Sequence, residues 1–174
     1  MSILPREKLA GWRHWENNLH PAGWGNTDDE ESIRAIHTAL DLGVTFFDTA
    51  ANYGAGHSEV VLGRALKGKR EDVVIATKFG HIVKEEKKTV YGDATHIIKN
   101  VRTDVENSLR RLQTDFIDIY QLHDSSYDPK LPLELQSVLE ELVSVGKIRW
   151  SARILFTERE NSQTEITAHL FNSD

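Results

Sequence analysis

The feature that most constrains this chain is an alternation of amphipathic helical segments with short apolar runs, sustained from DDEES at residue 28 to KIRW ending at residue 150. DDEESIRAIHTALDLG places Ile33, Ile36, Ala39, Leu40 and Leu42 at helical spacing, with acids gathered at its start and Gly43 as its stop. VTFFD follows, a β-branched and aromatic run whose continuous apolarity predicts a strand buried on both faces. HSEVVLGRALKG predicts a short helix capped by Ser58, and DVVIATK a second buried strand. THIIKNVRTDVENSLRRLQ lines Ile97, Ile98, Val101, Val105, Leu109 and Leu112 along one face, and DFIDIYQLH is the next strand. LPLELQSVLEELVSVG begins after a proline as a further helix, and KIRW opens another strand. Helix and strand in this order call for an α/β fold in which crossover helices connect parallel strands. The two ends differ: residues 1–27 show no period, and residues 157–174 are polar with weak helical character, so both termini are expected to be loose.

Composition narrows the chemistry. The chain has 174 residues, 39% of them apolar, which suits a single domain with a real core. Cysteine is absent, which removes thiolate metal sites, disulfides and a cysteine nucleophile. A net charge of −6 with acids and bases mixed argues against a nucleic-acid partner. No stretch approaches the roughly 18 uncharged apolar residues of a membrane helix, and the start has a proline and charges where a signal peptide is apolar. A cytoplasmic location is therefore expected.

Three of the expected strands end in residues with chemical capability: Asp48 after VTFF, Lys78 after VVIAT, and His123 after DFIDIYQL. Tyr53 lies in the loop beyond the first, where Gly54 and Gly56 permit a sharp turn. In parallel α/β folds the carboxyl ends of the strands share one face, so these four side chains converge. Together they suit proton transfer to a carbonyl oxygen. A tyrosine with a pKa near 10 becomes a usable acid beside an ammonium such as Lys78, which Asp48 would hold charged, while His123 orients the oxygen. No side chain supplies a hydride, so a cofactor must.

Residues 48–66, DTAANYGAGHSEVVLGRAL, together with VIATKFG and DIYQLH, resemble the signatures of the aldo-keto reductase family. The resemblance runs from about residue 24 to about residue 149 and implies a partial TIM (β/α)8 barrel of about four βα units, roughly half of the usual 250 or more residues. It treats residues 1–174 as one truncated domain with atypical segments at 1–23 and 150–174. It implies NADPH-dependent reduction of an aldehyde or ketone, with Tyr53 as general acid, Lys78 lowering its pKa, Asp48 paired with Lys78 and facing the cofactor, and His123 orienting the carbonyl. The partner implied is a small carbonyl compound.

Two departures keep a second reading open. The family's glycine-rich first strand has no counterpart in SILPREKLAGWRHWENNLHPAG, and Ile154 and Leu155 fall where the family carries a Ser-Asn pair for the nicotinamide carboxamide. The alternative is a non-catalytic remnant or interaction module unable to hold NADPH. A sheet of about four parallel strands would also leave two open edges and an uncovered apolar face, favouring self-association.

Each residue alone has a plainer role: Asp48 a turn cap, Lys78 a solvated strand end, His123 a structural histidine, Tyr53 packing. Joint placement carries the catalytic reading. Glu59 and Gly63 read as structural, and His57 as a cap or a solvent-facing residue. Asp124 and Ser125 mimic a hydrolase triad only as letters. His14 and His20 lack a third ligand for a metal, and Trp12, Trp15 and Trp24 fit a substrate loop or packing equally.

Overall fold

The computed structural model describes residues 28–92, 94–123, 133–158 and 164–171. Helix α1 (Asp29–Asp41) leads to strand β1 (Phe46–Asp48), helix α2 (His57–Ala65) and strand β2 (Val74–Phe79). A hairpin of β3 (His81–Lys84) and β4 (Thr89–Gly92) precedes α3 (Ala94–Leu112), β5 (Ile117–Leu122), α4 (Leu133–Ser144), β6 (Ile148–Glu158) and β7 (Thr164–Phe171). Among the described residues the main sheet has the order β1-β2-β5-β6-β7. The first four are parallel and β7 is antiparallel to β6. This is the expected α/β architecture, part of a (β/α)8 barrel.

The core lies between the sheet and its helices. Helix α3 buries Ile97, Val101, Val105, Leu109 and Leu112, spaced by three or four so that one stripe faces the strands. Helix α4 adds Leu135, Val138, Leu139 and Leu142. The strands answer with Ile75, Phe79, Tyr120 and Leu122, and the rings of Phe79 and Tyr120 stack with centroids 4.6 Å apart. Each fully buried aliphatic side chain here contributes about 1.5–3 kcal/mol, so the α3 stripe is a major source of stability.

Helix α1 is anchored differently. The Asp28 side chain caps it by accepting from the backbone N–H of Glu30 and Glu31, and Gly43 follows its end at φ 83°. None of its residues is fully buried, and Ile36 and Leu40 only lean on the core. Ion pairs from Arg64 to Asp29 and Glu30 and a hydrogen bond from His37 to the Ala65 carbonyl hold it against α2.

Several sequence expectations are corrected. VTFFD is not buried on both faces. Strand β1 is three residues long and, among the described residues, forms the sheet edge with only β2 beside it. The register puts Phe46 beside Val74, and Ile119 beside Trp150, on the face away from the helices. Phe46 is 52% exposed, Val74 37% and Trp150 38%, so the expected uncovered apolar face is present. Ser58 does not cap α2, because the helix starts one residue earlier, behind Gly56 at φ 91°. Its hydroxyl hydrogen-bonds instead with that of Thr49 at 2.9 Å. The β3–β4 hairpin was not expected; its strands, HIVK and TVYG, are too short for a periodicity signal.

The C-terminal segment is not loose throughout. TEITAHLF forms β7, paired along β6 from Ser151 opposite Phe171 to Glu158 opposite Thr164. An unpaired strand edge leaves backbone donors and acceptors seeking partners, and the backbone of this segment supplies them. Only the β1 side of the parallel array therefore stays open in the described sheet, where two open edges were expected. No helix among the described residues is long and apolar enough to cross a membrane.

Candidate active site

The chain leaves β1 at Asp48 but stays fastened to β2, because the Thr49 N–H donates to the Ala76 carbonyl (2.9 Å) and the Ala51 N–H to the Lys78 carbonyl (3.3 Å). Thr49, Ala50 and Ala51 are buried, being small enough to pass beneath the loop that follows. The backbone then turns through Gly54, Ala55 and Gly56, all at positive φ (61°, 53° and 91°). Such a run of left-handed residues reverses the chain in the shortest length, and this delivers Tyr53 over the strand ends. Gly56 has a second constraint, since a Cβ there would lie 2.6 Å from Cδ of Arg111.

Lys78 stands near the end of β2 with only 5% of its side chain exposed, against 45% for Asp48. Its Nζ donates to Asp48 Oδ1 in a short charge-assisted bond and to the Thr49 carbonyl at 2.8 Å. Burial lowers the Lys78 pKa, with Asp48 and then Glu59 opposing that effect. The same ammonium lies 5.2 Å from the centroid of the Tyr53 ring.

His123 follows β5, and its N–H donates to the Phe79 carbonyl at 2.9 Å, which ties the ends of β2 and β5 together. Its ring meets that of Tyr53 edge to face, with centroids 5.7 Å apart and planes at 80°. The structure thus brings Asp48, Tyr53, Lys78 and His123 to one end of the sheet, as the positions of the strand ends require.

One expected electrostatic role is corrected. Lys78 does not bring the Tyr53 pKa down here. The phenol is pushed up to about 12, first by burial and then by the charge of Asp48. The physical reason is that Asp48 answers the lysine charge at its own nitrogen, leaving loss of water as the dominant influence on the half-buried ring. The phenol therefore keeps its proton throughout the neutral range.

Residues read as structural from sequence behave so. Glu59 is fully buried, accepting from Thr77 Oγ1 and from Arg111 Nε, each at 2.6 Å. A Cβ at Gly63 would fall 2.5 Å from the Leu112 carbonyl oxygen, so α2 and α3 touch there backbone to backbone. His57 is half exposed and bonds Asp29 at 2.7 Å. His14, His20, Trp12, Trp15, Trp24, Asp124 and Ser125 lie outside the described residues. Two contributors escaped the sequence reading. The Thr49 carbonyl fixes Lys78 through a backbone atom, which no residue pattern announces, and His81 touches His123, with ring centroids 5.2 Å apart.

Comparison with known proteins agrees with this geometry. The aldo/keto reductase family model matches residues 18–152. Aldo-keto reductase YhdN of Bacillus subtilis is 45% identical over 129 residues, 72% of this chain and 37% of its own length. Among solved structures, the holo form of aldo-keto reductase AKR11C1 from Bacillus halodurans is 37% identical, with a TM-score of 0.67 over 75% of this chain and 43% of its own. An aldo-keto reductase of Klebsiella pneumoniae in complex with NADPH is 32% identical, with a TM-score of 0.57 over 72% of this chain and 39% of its own. The chain thus spans about two fifths of the length of these relatives. With its four site residues gathered at one end of a parallel sheet and its family model matched over most of its length, the chain belongs to the aldo/keto reductase family.

Proposed function

We propose that this protein reduces an aldehyde or ketone to an alcohol with NADPH as the reductant. The observation that carries the reading is the joint placement of Tyr53, Lys78, Asp48 and His123. Tyr53 holds its proton at neutral pH and donates it to the carbonyl oxygen as negative charge develops there. The Lys78 ammonium stands 5.2 Å from the centroid of the Tyr53 ring, and Asp48 with the Thr49 carbonyl keeps it directed. His123 fixes the direction of the oxygen.

NADPH, when bound, supplies the hydride. The residues present are chemically compatible with its nicotinamide. Gln121 lies beside Lys78 in the β2–β5 register, and its Oε1 is buried without a hydrogen-bond partner among the described residues. That oxygen offers an acceptor for the carboxamide N–H groups. Asp48, on the half-exposed side of the lysine pair, faces the same space.

A second reading, a non-catalytic interaction module, draws on one observation. Past Arg153, where parallel pairing with β5 ends, β6 continues as a hairpin with β7 at Ile154 and Leu155, the positions at which family members carry a polar pair. An NADPH titration followed by cofactor fluorescence, then a screen of aldehydes and ketones for NADPH consumption, separates the two. Saturable binding with turnover supports the reductase, and folded protein that binds no NADPH supports the module.

A further inference from the structure

We propose that Lys78 is also a nucleophile, forming an imine with small aldehydes while Tyr53 serves as the acid for that addition. This activity uses the same strand ends but needs no NADPH, so it stands apart from the reductase reading.

Lys78 has the surroundings of a reactive amine. Strand β2 sets it in register with Gln121 of β5 and leaves only 5% of its side chain exposed. Thr77, the residue before it, donates to buried Glu59 at 2.6 Å, which fixes the strand beneath the amine. Burial, the largest influence on the Lys78 pKa, holds it below its ordinary value although Asp48 and Glu59 oppose that effect. The share of free amine near neutral pH is thereby raised. Burial of this kind is what suits a lysine to Schiff-base chemistry.

The hydrogen bonds leave room for attack. An ammonium has three N–H groups, and Lys78 directs two of them to Asp48 and to the Thr49 carbonyl, the latter at 2.8 Å. Both acceptors lie where the chain leaves β1. Loss of the third proton to solvent therefore leaves a lone pair directed away from both. The Tyr53 ring centroid is 5.2 Å from this nitrogen, and Asp48, with 45% of its side chain exposed, marks where the site opens to solvent. An aldehyde carbon, carrying a hydrogen, approaches so enclosed an amine more readily than a ketone carbon does. Every residue used lies between Asp48 and Lys78, so the reaction does not depend on Ile154 and Leu155, which stand where the family carries its polar pair.

The protons balance without an oxidant or reductant. As the carbon–nitrogen bond forms, Tyr53 protonates the carbonyl oxygen, and the nitrogen of the adduct then returns a proton to the phenolate. Tyr53 protonates the hydroxyl as the carbon–oxygen bond breaks and water leaves. The proton first lost by the ammonium comes back from solvent to the phenol. An ammonium and an aldehyde thus become a protonated imine, with its charge beside Asp48, and one water molecule.

Propanal with sodium cyanoborohydride, without NADPH and at neutral pH, provides the test, because hydride from the reagent converts the imine into a stable secondary amine that peptide mass mapping locates. Exposed Lys67 and Lys69 are the internal standards. Burial alone would make Lys78 the slower to react. The folded chain is expected to be labelled at Lys78 at least about tenfold faster than at either standard, with the preference lost in urea. Labelling at Lys78 no faster than at the standards would overturn the proposal, and so would a preference that persists in urea, since it would then belong to the local sequence and not to the site. Tyr53→Phe should slow labelling at Lys78 by about tenfold or more and leave Lys67 unchanged; equal labelling at Lys78 in variant and wild type would overturn the assigned acid and the proposal with it. If that variant does not fold, the wild-type comparison decides alone.

Discussion

Arg111 Nε donates to Glu59 Oε2 at 2.6 Å in the interior, where the arginine side chain is 3% exposed and the glutamate side chain 0%. The pair joins α2 to α3 beneath the Tyr53 turn, and Thr77 and Glu85 satisfy further atoms of both partners. Removing Glu59 leaves the buried Arg111 with Glu85 as its remaining acid and its Nε without an acceptor in a dry environment. Glu59→Ala is therefore expected to cost about 3–5 kcal/mol, seen as a lowered urea midpoint. Replacing both residues by well-packed apolar ones should cost much less than the single change, and an equal cost would show that the charges themselves stabilise the fold.

Tyr53→Phe removes the proton donor and keeps the ring. Carbonyl reduction should fall by about two to four orders of magnitude, while NADPH affinity measured by fluorescence stays close to wild type. Unchanged turnover would remove Tyr53 from the mechanism.

The raised pKa of Tyr53 sets a pH signature. Because the folded phenol titrates near 12 and an ordinary one near 10, its contribution to stability is complete below pH 10 and is lost as pH rises through 12. Denaturant titrations across that window should show a steeper decline for wild type than for Tyr53→Phe. For the same reason the reduction rate should show no loss of Tyr53 protonation between pH 7 and pH 9. Ultraviolet difference spectra of the two proteins would locate the titration directly.

Gly63→Ala tests the backbone contact of α2 with α3. The added Cβ would meet the Leu112 carbonyl oxygen at 2.5 Å and its carbon at 2.6 Å, atoms that can yield only by moving a helix end. A cost of about 1–3 kcal/mol is expected, measurable as a lower thermal midpoint. Gly68→Ala is a poor control because φ there is 77°, whereas Ala65→Gly, within α2, reports the helix-propensity term alone only after allowance for its buried methyl.

Local periodicity made much of the fold legible. Helices α3 and α4 bury the stripes that their spacing places together, and β2 and β5 are the apolar runs VIATKF and IDIYQL. Asp48, Lys78 and His123 were legible as a site because parallel strands present their carboxyl ends together, whatever the distance along the chain. Tyr53 was legible through the glycines that return it to those ends.

What the sequence by itself determined, then, is the alternation of crossover helices with parallel strands and the identity of four converging side chains, since both follow from repeats and turns of a few residues. Tertiary structure alone decided which strand lies at an edge, and so why Phe46 is exposed despite its apolar neighbours. It also decided that TEITAHLF pairs with β6, that the Thr49 carbonyl steers Lys78, and that burial raises the pKa of Tyr53. Each of these depends on solvent exclusion or on unpaired backbone groups supplied by distant segments, quantities that exist only once the chain has packed.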